Sequence, residues 1–261
     1  MVDVDHLPGA DLIRAGVADL AAGIESVPAL LVAVGAPRLR QLGYAVTDGG
    51  PNPEHRLYAL LAQDDPDSAH GRYNALVRRL VSYERAPAFQ AATADRIREF
   101  MRAIGREAAQ SGRVFFTGGA TAVLSDWRET TIDVDIKLVP DQDSVFRAIP
   151  VLMETLQLNV ELASPDDFIP VRPDWPDRSP FIVREGRLDF HHFDLVAQAL
   201  AKIERGHVQD LADVREMLTR GLVTTAELRE YFDAISARLY RYPAIDPASF
   251  ERAVAAITAA D

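Results

Sequence analysis

The chain contains no cysteine, and only two of its 28 basic residues are lysines. Without cysteine there is no disulfide scaffold, no thiolate nucleophile and no cysteine-ligated zinc. The longest apolar run, about Val27 to Ala36, falls far short of the roughly 20 residues that a membrane-spanning helix needs. The opening MVDVDHLPGADL is acidic and lacks the basic-then-apolar order of a signal peptide. These absences read as a cytoplasmic protein with no membrane partner. Positive charge is also scarce. Lys plus Arg is 28 against 39 Asp plus Glu, a net charge of −11. That argues against a tail-type polyanion binder and leaves room for a local basic groove. The chain has no GxxxxGK[ST], GxGxxG or GxSxG, so the common phosphate-loop, dinucleotide and nucleophile-elbow signatures are missing.

What is present is a 261-residue chain, 48% hydrophobic, enough for one large domain or two small ones with a real core. Residues 1–88 read as a helical module without a chemical motif. Asp11 is placed to cap a helix to about Ala22, Val27 to Leu42 is helical but disturbed by Gly35 and Pro37, and Glu54 to Ala62 and Ala69 to Arg85 follow. Pro87 marks a boundary. Residues 89–190 read as a mixed core, with a helix capped by Thr93, a short strand at Val114 to Phe116 and a short helix from Thr121 to Trp127. Thr131 to Val139 alternates apolar and polar residues, Ser144 to Leu156 is helical, and Leu158 to Leu162 alternates again. Phe181 to Val183 and Arg187 to Phe190 flank a Gly186 turn as a hairpin. Residues 191–261 are helical and complete a cleft. The fold class expected is α+β: a small mixed sheet with flanking helices, plus helical N- and C-terminal regions.

The chemistry concentrates between Phe115 and Leu138. A strand runs into Gly118-Gly119, then a short helix, then a strand bearing Asp133-x-Asp135. Adjacent glycines let backbone approach a ligand closely, with amides available to phosphate oxygens. Residues i and i+2 of a strand share a face, so Asp133 and Asp135 converge. Two carboxylates so placed repel unless a cation offsets them, and an oxygen-only donor set suits Mg²⁺ or Mn²⁺. A two-metal site needs one more carboxylate. Glu161 has the right parity: in LNVEL, Leu158, Val160 and Leu162 face the core while Asn159 and Glu161 face the other way. Each feature alone is common in turns and solvated strands. Their order and spacing make the set specific.

A second cluster lies in DLVAQALAKIERGHVQDLAD, from Asp194 to Asp213. Lys202, a lysine in an arginine-rich chain, suits a phosphate. Arg205 shares its helix face, and Asp210 and Asp213 repeat the spacing of three. The two acids read equally well as salt-bridge partners of Lys202 or Arg205. Lys137 lies on the Asp-x-Asp strand, where it could neutralise the pair. Trp175 reads as a packing residue or a base-stacking one. His191 and His192, adjacent on a strand, point to opposite faces and do not suit a shared metal.

Residues from about 113 to 243 resemble the nucleotidyltransferase superfamily of the DNA polymerase beta type, through FTGGATAVL, RETTIDVDIKL, VELASPDDFIP and FDLVAQALAKIERGHVQDLADV. They look closest to the bacterial branch of AbiEii-like toxins, whose K-x-x-R-x-x-x-x-D-x-x-D helical motif the last segment matches. The resemblance implies a Mg²⁺-dependent transfer of a nucleotidyl group from a nucleoside triphosphate to an acceptor hydroxyl on RNA, protein or a small molecule. It implies that Asp133, Asp135 and Glu161 hold metal, that Gly118, Gly119 and Lys202 contact the triphosphate, and that Arg205, Asp210 and Asp213 lie at the cleft. Residues 1–88 lie outside it and suit a module for self-association or an antitoxin-type partner. The contrasting expectation is a catalytically silent binding protein, with that module acting in cis.

Overall fold

The computed structural model describes residues 9–64, 66, 69–85 and 91–259. The chain divides into two compact units, Met1–Phe89 and Gln90–Asp261. The boundary expected at Pro87 lies outside the described residues.

The first unit is helical: α1 Ala10–Ala21, α2 Val27–Val34, α3 Ala36–Gln41, α4 Pro53–Asp64 and α5 Ala69–Arg85. Gly9, not Asp11, occupies the N-cap of α1, and Asp11 sits in the first turn. Ser26 caps α2 by accepting from the Ala29 amide at 3.1 Å. Gly35 divides the expected Val27 to Leu42 helix into α2 and α3. Ile13, Leu30, Leu31, Leu57 and Leu61 are fully buried and give this unit its own core.

The second unit is built on a five-stranded sheet, ordered β3-β2-β1-β5-β4. The strands are β1 Gly112–Thr117, β2 Asp133–Val139, β3 Asn159–Leu162, β4 Phe181–Glu185 and β5 Leu188–His192. β1 pairs antiparallel with β2 and parallel with β5; β2 pairs parallel with β3, and β4 antiparallel with β5. The helices are α6 Ala94–Glu107, α7 Gly118–Leu124, α8 Asp143–Leu156, α9 Leu195–Arg205, α10 Val208–Thr219, α11 Thr225–Ser236 and α12 Pro247–Thr258. β5 runs through the division expected after residue 190.

Strand alternation sorts the two sheet faces. Val114, Phe116, Val134, Ile136, Leu138 and Val160 pack with Ile97, Phe100 and Ile104 of α6 and with Val145 and Ile149 of α8. Phe115 points the other way, into a core formed with Phe193 and residues of α9, α11 and α12. The same parity puts Asp133, Asp135 and Lys137 on the face shared with Phe115, which pairs with Lys137. One apolar expectation fails: Leu162 is 59% exposed. It ends the four-residue strand β3, which lies at the edge of the sheet.

Candidate active site

The carboxylate face rests on the pairing of β2 with β3. Asp133 stands opposite Asn159, and Asp135 opposite Glu161. The Asn159 amide donates to Asp133 Oδ1 at 2.7 Å and to Glu161 Oε1 at 3.2 Å. Burial, then the charges of Asp133 and Glu161, push the Asp135 carboxyl up to about 8, although Arg205 and Lys202 pull it down. Three of the expected residues therefore share one electrostatic site. Among the described residues, no three His, Asp or Glu side chains are already gathered into a ready-made metal cage. The donor chemistry nonetheless fits a hard divalent cation: three carboxylates, all oxygen, with Asp135 raised by burial and then by the charges of the other two.

The glycines act here through their missing side chains. Gly118 begins α7, so the helix starts three residues before the expected Thr121. Its φ is +59°, and a Cβ there would come within 2.6 Å of Asp135 Oδ2. A Cβ on Gly119 would lie 2.0 Å from Thr131 Oγ1. A larger residue at either position would have to displace the Asp135 carboxylate or the Thr131 side chain. The Gly118 amide is already engaged: it donates to Gln198 Oε1 of α9 at 3.1 Å, and Gln198 Nε2 donates to the Phe193 carbonyl at 2.8 Å.

α9 and α10 carry the second cluster. Asp194 caps α9 by accepting from the Val196 amide at 3.0 Å. Gly206, at φ +66°, closes the helix and lets α10 fold back. Lys202 is thereby buried, donating to Asp213 Oδ2 at 2.6 Å and to Asp210 Oδ1 at 3.2 Å. Arg205 donates to Asp210 Oδ1 at 2.8 Å and keeps 41% of its side chain exposed. Burial pushes the Asp210 carboxyl up, but Arg205 and Lys202 outweigh it and hold it below the usual range. Arg128 closes bidentately on Asp213, Nε to Oδ1 at 2.9 Å and Nη2 to Oδ2 at 2.6 Å. Trp127 Nε1 adds a bond to Oδ1 at 3.2 Å. The salt-bridge reading of Asp210 and Asp213 therefore holds, and Lys202 is enclosed by them rather than open to solvent. Arg205 is the more accessible cation, and its charge reaches Asp135.

Residues 94–249 match the family model described as "nucleotidyltransferase of unknown function (DUF6036)". The chain belongs to this nucleotidyltransferase family. The matched span holds both the carboxylate face and the α9–α10 cluster, and it leaves the first unit outside. No curated protein and no solved structure matches the chain. No helix among the described residues is long and apolar enough to cross a membrane.

Other expectations shift. Lys137 does not neutralise the Asp-x-Asp pair; its Nζ donates to Asp166 Oδ2 at 2.7 Å. Trp175 packs instead of offering a free face: its ring stacks on Phe193 at 4.2 Å and meets Phe115 edge-on at 4.7 Å. His191 and His192 do diverge, bonding through Nδ1 to the Ser179 carbonyl at 3.0 Å and to Thr121 Oγ1 at 3.2 Å. Trp127, Arg128, Thr131 and Gln198 were not singled out by sequence for these roles. No local pattern marks them, because each meets its partner through the tertiary fold. Asn159 had a usable signal in its shared parity with Glu161.

Proposed function

We propose that this family member transfers a nucleotidyl group from a nucleoside triphosphate to an acceptor hydroxyl, with Asp133, Asp135 and Glu161 as the metal-holding carboxylates. The observation that carries the reading is the gathering of these three groups on one face of β2 and β3, where Asp135 stands opposite Glu161 and Asn159 bonds both Asp133 and Glu161. A bound Mg²⁺ or Mn²⁺ supplies charge neutralisation for the phosphates and a lowered pKa for the acceptor hydroxyl. Gly118 and Gly119 keep backbone close to the carboxylate strand. Arg205 supplies the exposed positive charge for the triphosphate. Lys202, Asp210 and Asp213 form the frame that holds Arg205 and the segment carrying Trp127 and Arg128. In the reaction the acceptor oxygen bonds to the α-phosphorus, the bond from phosphorus to the bridging oxygen breaks, and pyrophosphate leaves. The acceptor proton passes to solvent.

The acceptor class we favour is an RNA end or a protein hydroxyl, in keeping with the toxin-like resemblance of the α9–α10 motif. Incubation with α-labelled triphosphates, Mg²⁺ or Mn²⁺, and bulk RNA or protein tests this. Label transfer is expected from the wild type and should fall at least 100-fold in Asp133→Ala and Asp135→Ala. Equal labelling by those variants removes the proposed site.

A second reading draws on one observation: the first unit lies outside the family match. In it, residues 1–89 serve as a partner-binding or antitoxin-like module, and the second unit binds nucleotide without turnover. Calorimetric triphosphate binding without any label transfer supports that reading.

A further inference from the structure

Asn159 is fully buried, on a short strand where asparagine is a poor strand former. Its side chain is also incompletely satisfied: among the described residues, Oδ1 is buried without a hydrogen-bond partner. A buried carbonyl left alone is unfavourable, and a leucine of similar shape would avoid it. The fold alone therefore gives no reason for an amide here. The reason lies on the other side of the group. Its NH₂ reaches both Asp133 Oδ1 at 2.7 Å and Glu161 Oε1 at 3.2 Å. Turning the amide over would set its oxygen against carboxylate oxygens, acceptor facing acceptor. The orientation is thus fixed by the two acids, at the cost of the orphaned oxygen.

We propose that Asn159 is a positioning residue: one amide group ties Asp133 and Glu161 together on either side of Asp135 and holds the acidic face in shape for a divalent cation. The proposal rests on the metal reading above for its consequence, while the tether itself is a property of the chain. Pairing in register makes it achievable. Asp133 faces Asn159 across the strand pair and Glu161 lies two residues further along the same face, so the two N–H groups reach one carboxylate each. Charge-assisted donors of this kind partly offset the repulsion between two neighbouring anions. A partner that orients metal ligands in this way typically changes metal affinity by 10–100-fold.

The test uses the full chain, with Mn²⁺ as the calorimetric probe and melting in EDTA followed by tryptophan fluorescence. The proteins are wild type, Asp133→Ala, Asn159→Leu, Asn159→Asp and the swap Asp133→Asn with Asn159→Asp. Asn159→Leu should weaken Mn²⁺ about 10–100-fold. In EDTA, Asn159→Asp should melt below Asn159→Leu, because it adds a further carboxylate to the crowded face. The swap should recover at least half of that deficit by restoring an amide opposite an acid. Mn²⁺ affinity in Asn159→Leu within twofold of wild type, where Asp133→Ala abolishes binding, overturns the proposal. So does a swap that recovers nothing. Mn²⁺ binding unchanged in Asp133→Ala defeats the metal reading instead, and the EDTA melting order then decides the tether by itself.

Discussion

Asp213→Ala should be among the most destabilising single changes in the second unit. The Asp213 side chain is 1% exposed and accepts four hydrogen bonds, two from Arg128 and one each from Trp127 and Lys202. Adding charge-assisted bonds at about 1.5–3 kcal/mol each would overshoot, because Arg128 retains 22% exposure and can turn to water. The better measure is charge balance. The cluster holds three cations, Arg128, Lys202 and Arg205, and two anions, Asp210 and Asp213. Removing Asp213 leaves three against one, with the Lys202 side chain only 5% exposed and dependent on Asp210. Breaking a buried pair from one side costs about 3–5 kcal/mol. For a unit of this size that is a fall in melting temperature of about 10 °C. Lys202→Met leaves two against two, each acid still paired with an arginine, and should cost no more than about half as much. Both tryptophans of the chain, Trp127 and Trp175, belong to the second unit, so their fluorescence follows its unfolding without interference from the first. A loss below about 1 kcal/mol in Asp213→Ala, or a larger loss in Lys202→Met than in Asp213→Ala, refutes this account of the cluster.

Three further outcomes follow from other contacts. Gly119→Ala should lower stability by about 1–3 kcal/mol through the clash with Thr131, and much of the loss should disappear when Thr131→Gly is added, a coupling read by a double-mutant cycle in denaturant. Burial, and then the charge of His191, lower the His192 ring to about 4 from 6.5. A depressed histidine binds its proton more readily in the unfolded chain, so stability is full above about pH 6.5 and declines as pH falls toward 4. The loss is at most about 3 kcal/mol; it should be absent in His192→Gln, so the difference curve between wild type and variant should carry it. A pH-independent difference would show that the ring is hydrated. Trp175→Ala should cost about 3–5 kcal/mol, as for a packed aromatic, with triphosphate affinity in the remaining folded protein unchanged; a selective loss of nucleotide binding would return Trp175 to a stacking role.

Legibility in the sequence tracks how local each cause is. The β2 alternation follows from a period of two: Val134, Ile136 and Leu138 are buried, while Asp133, Asp135 and Lys137 on the other face are less so. Thr93 as the cap of α6 and Gly186 as the hairpin turn were readable for the same reason. The start of α7 was missed because two glycines ordinarily break helices. Here packing against Asp135 and Thr131 decides the matter. Leu162 was misplaced because parity gives a direction but not whether anything covers the edge of a sheet. The 202–205–210–213 spacing showed one charged face on each of two helices. It did not show that Gly206 folds those faces together and encloses Lys202 between them.

The two charged clusters are best understood together. The carboxylate face carries three acids and one neutral amide, and burial, then the charges of Asp133 and Glu161, raise Asp135. The α9–α10 cluster carries one cation in excess, and Arg205 and Lys202 both act on Asp135. That excess is too small to neutralise three carboxylates, so the second unit keeps an unbalanced negative site beside a mildly positive frame. A metal–triphosphate complex matches this division, because it presents its cation to the acids and its phosphate oxygens to the frame. A free triphosphate does not, because its charge would meet the carboxylates unshielded. Nucleotide affinity should therefore depend on divalent cation more steeply in wild type than in Asp135→Asn, which lowers the repulsion without removing the frame. Equal dependence in the two proteins would mean that the acids and the α9–α10 cations do not act on the same ligand.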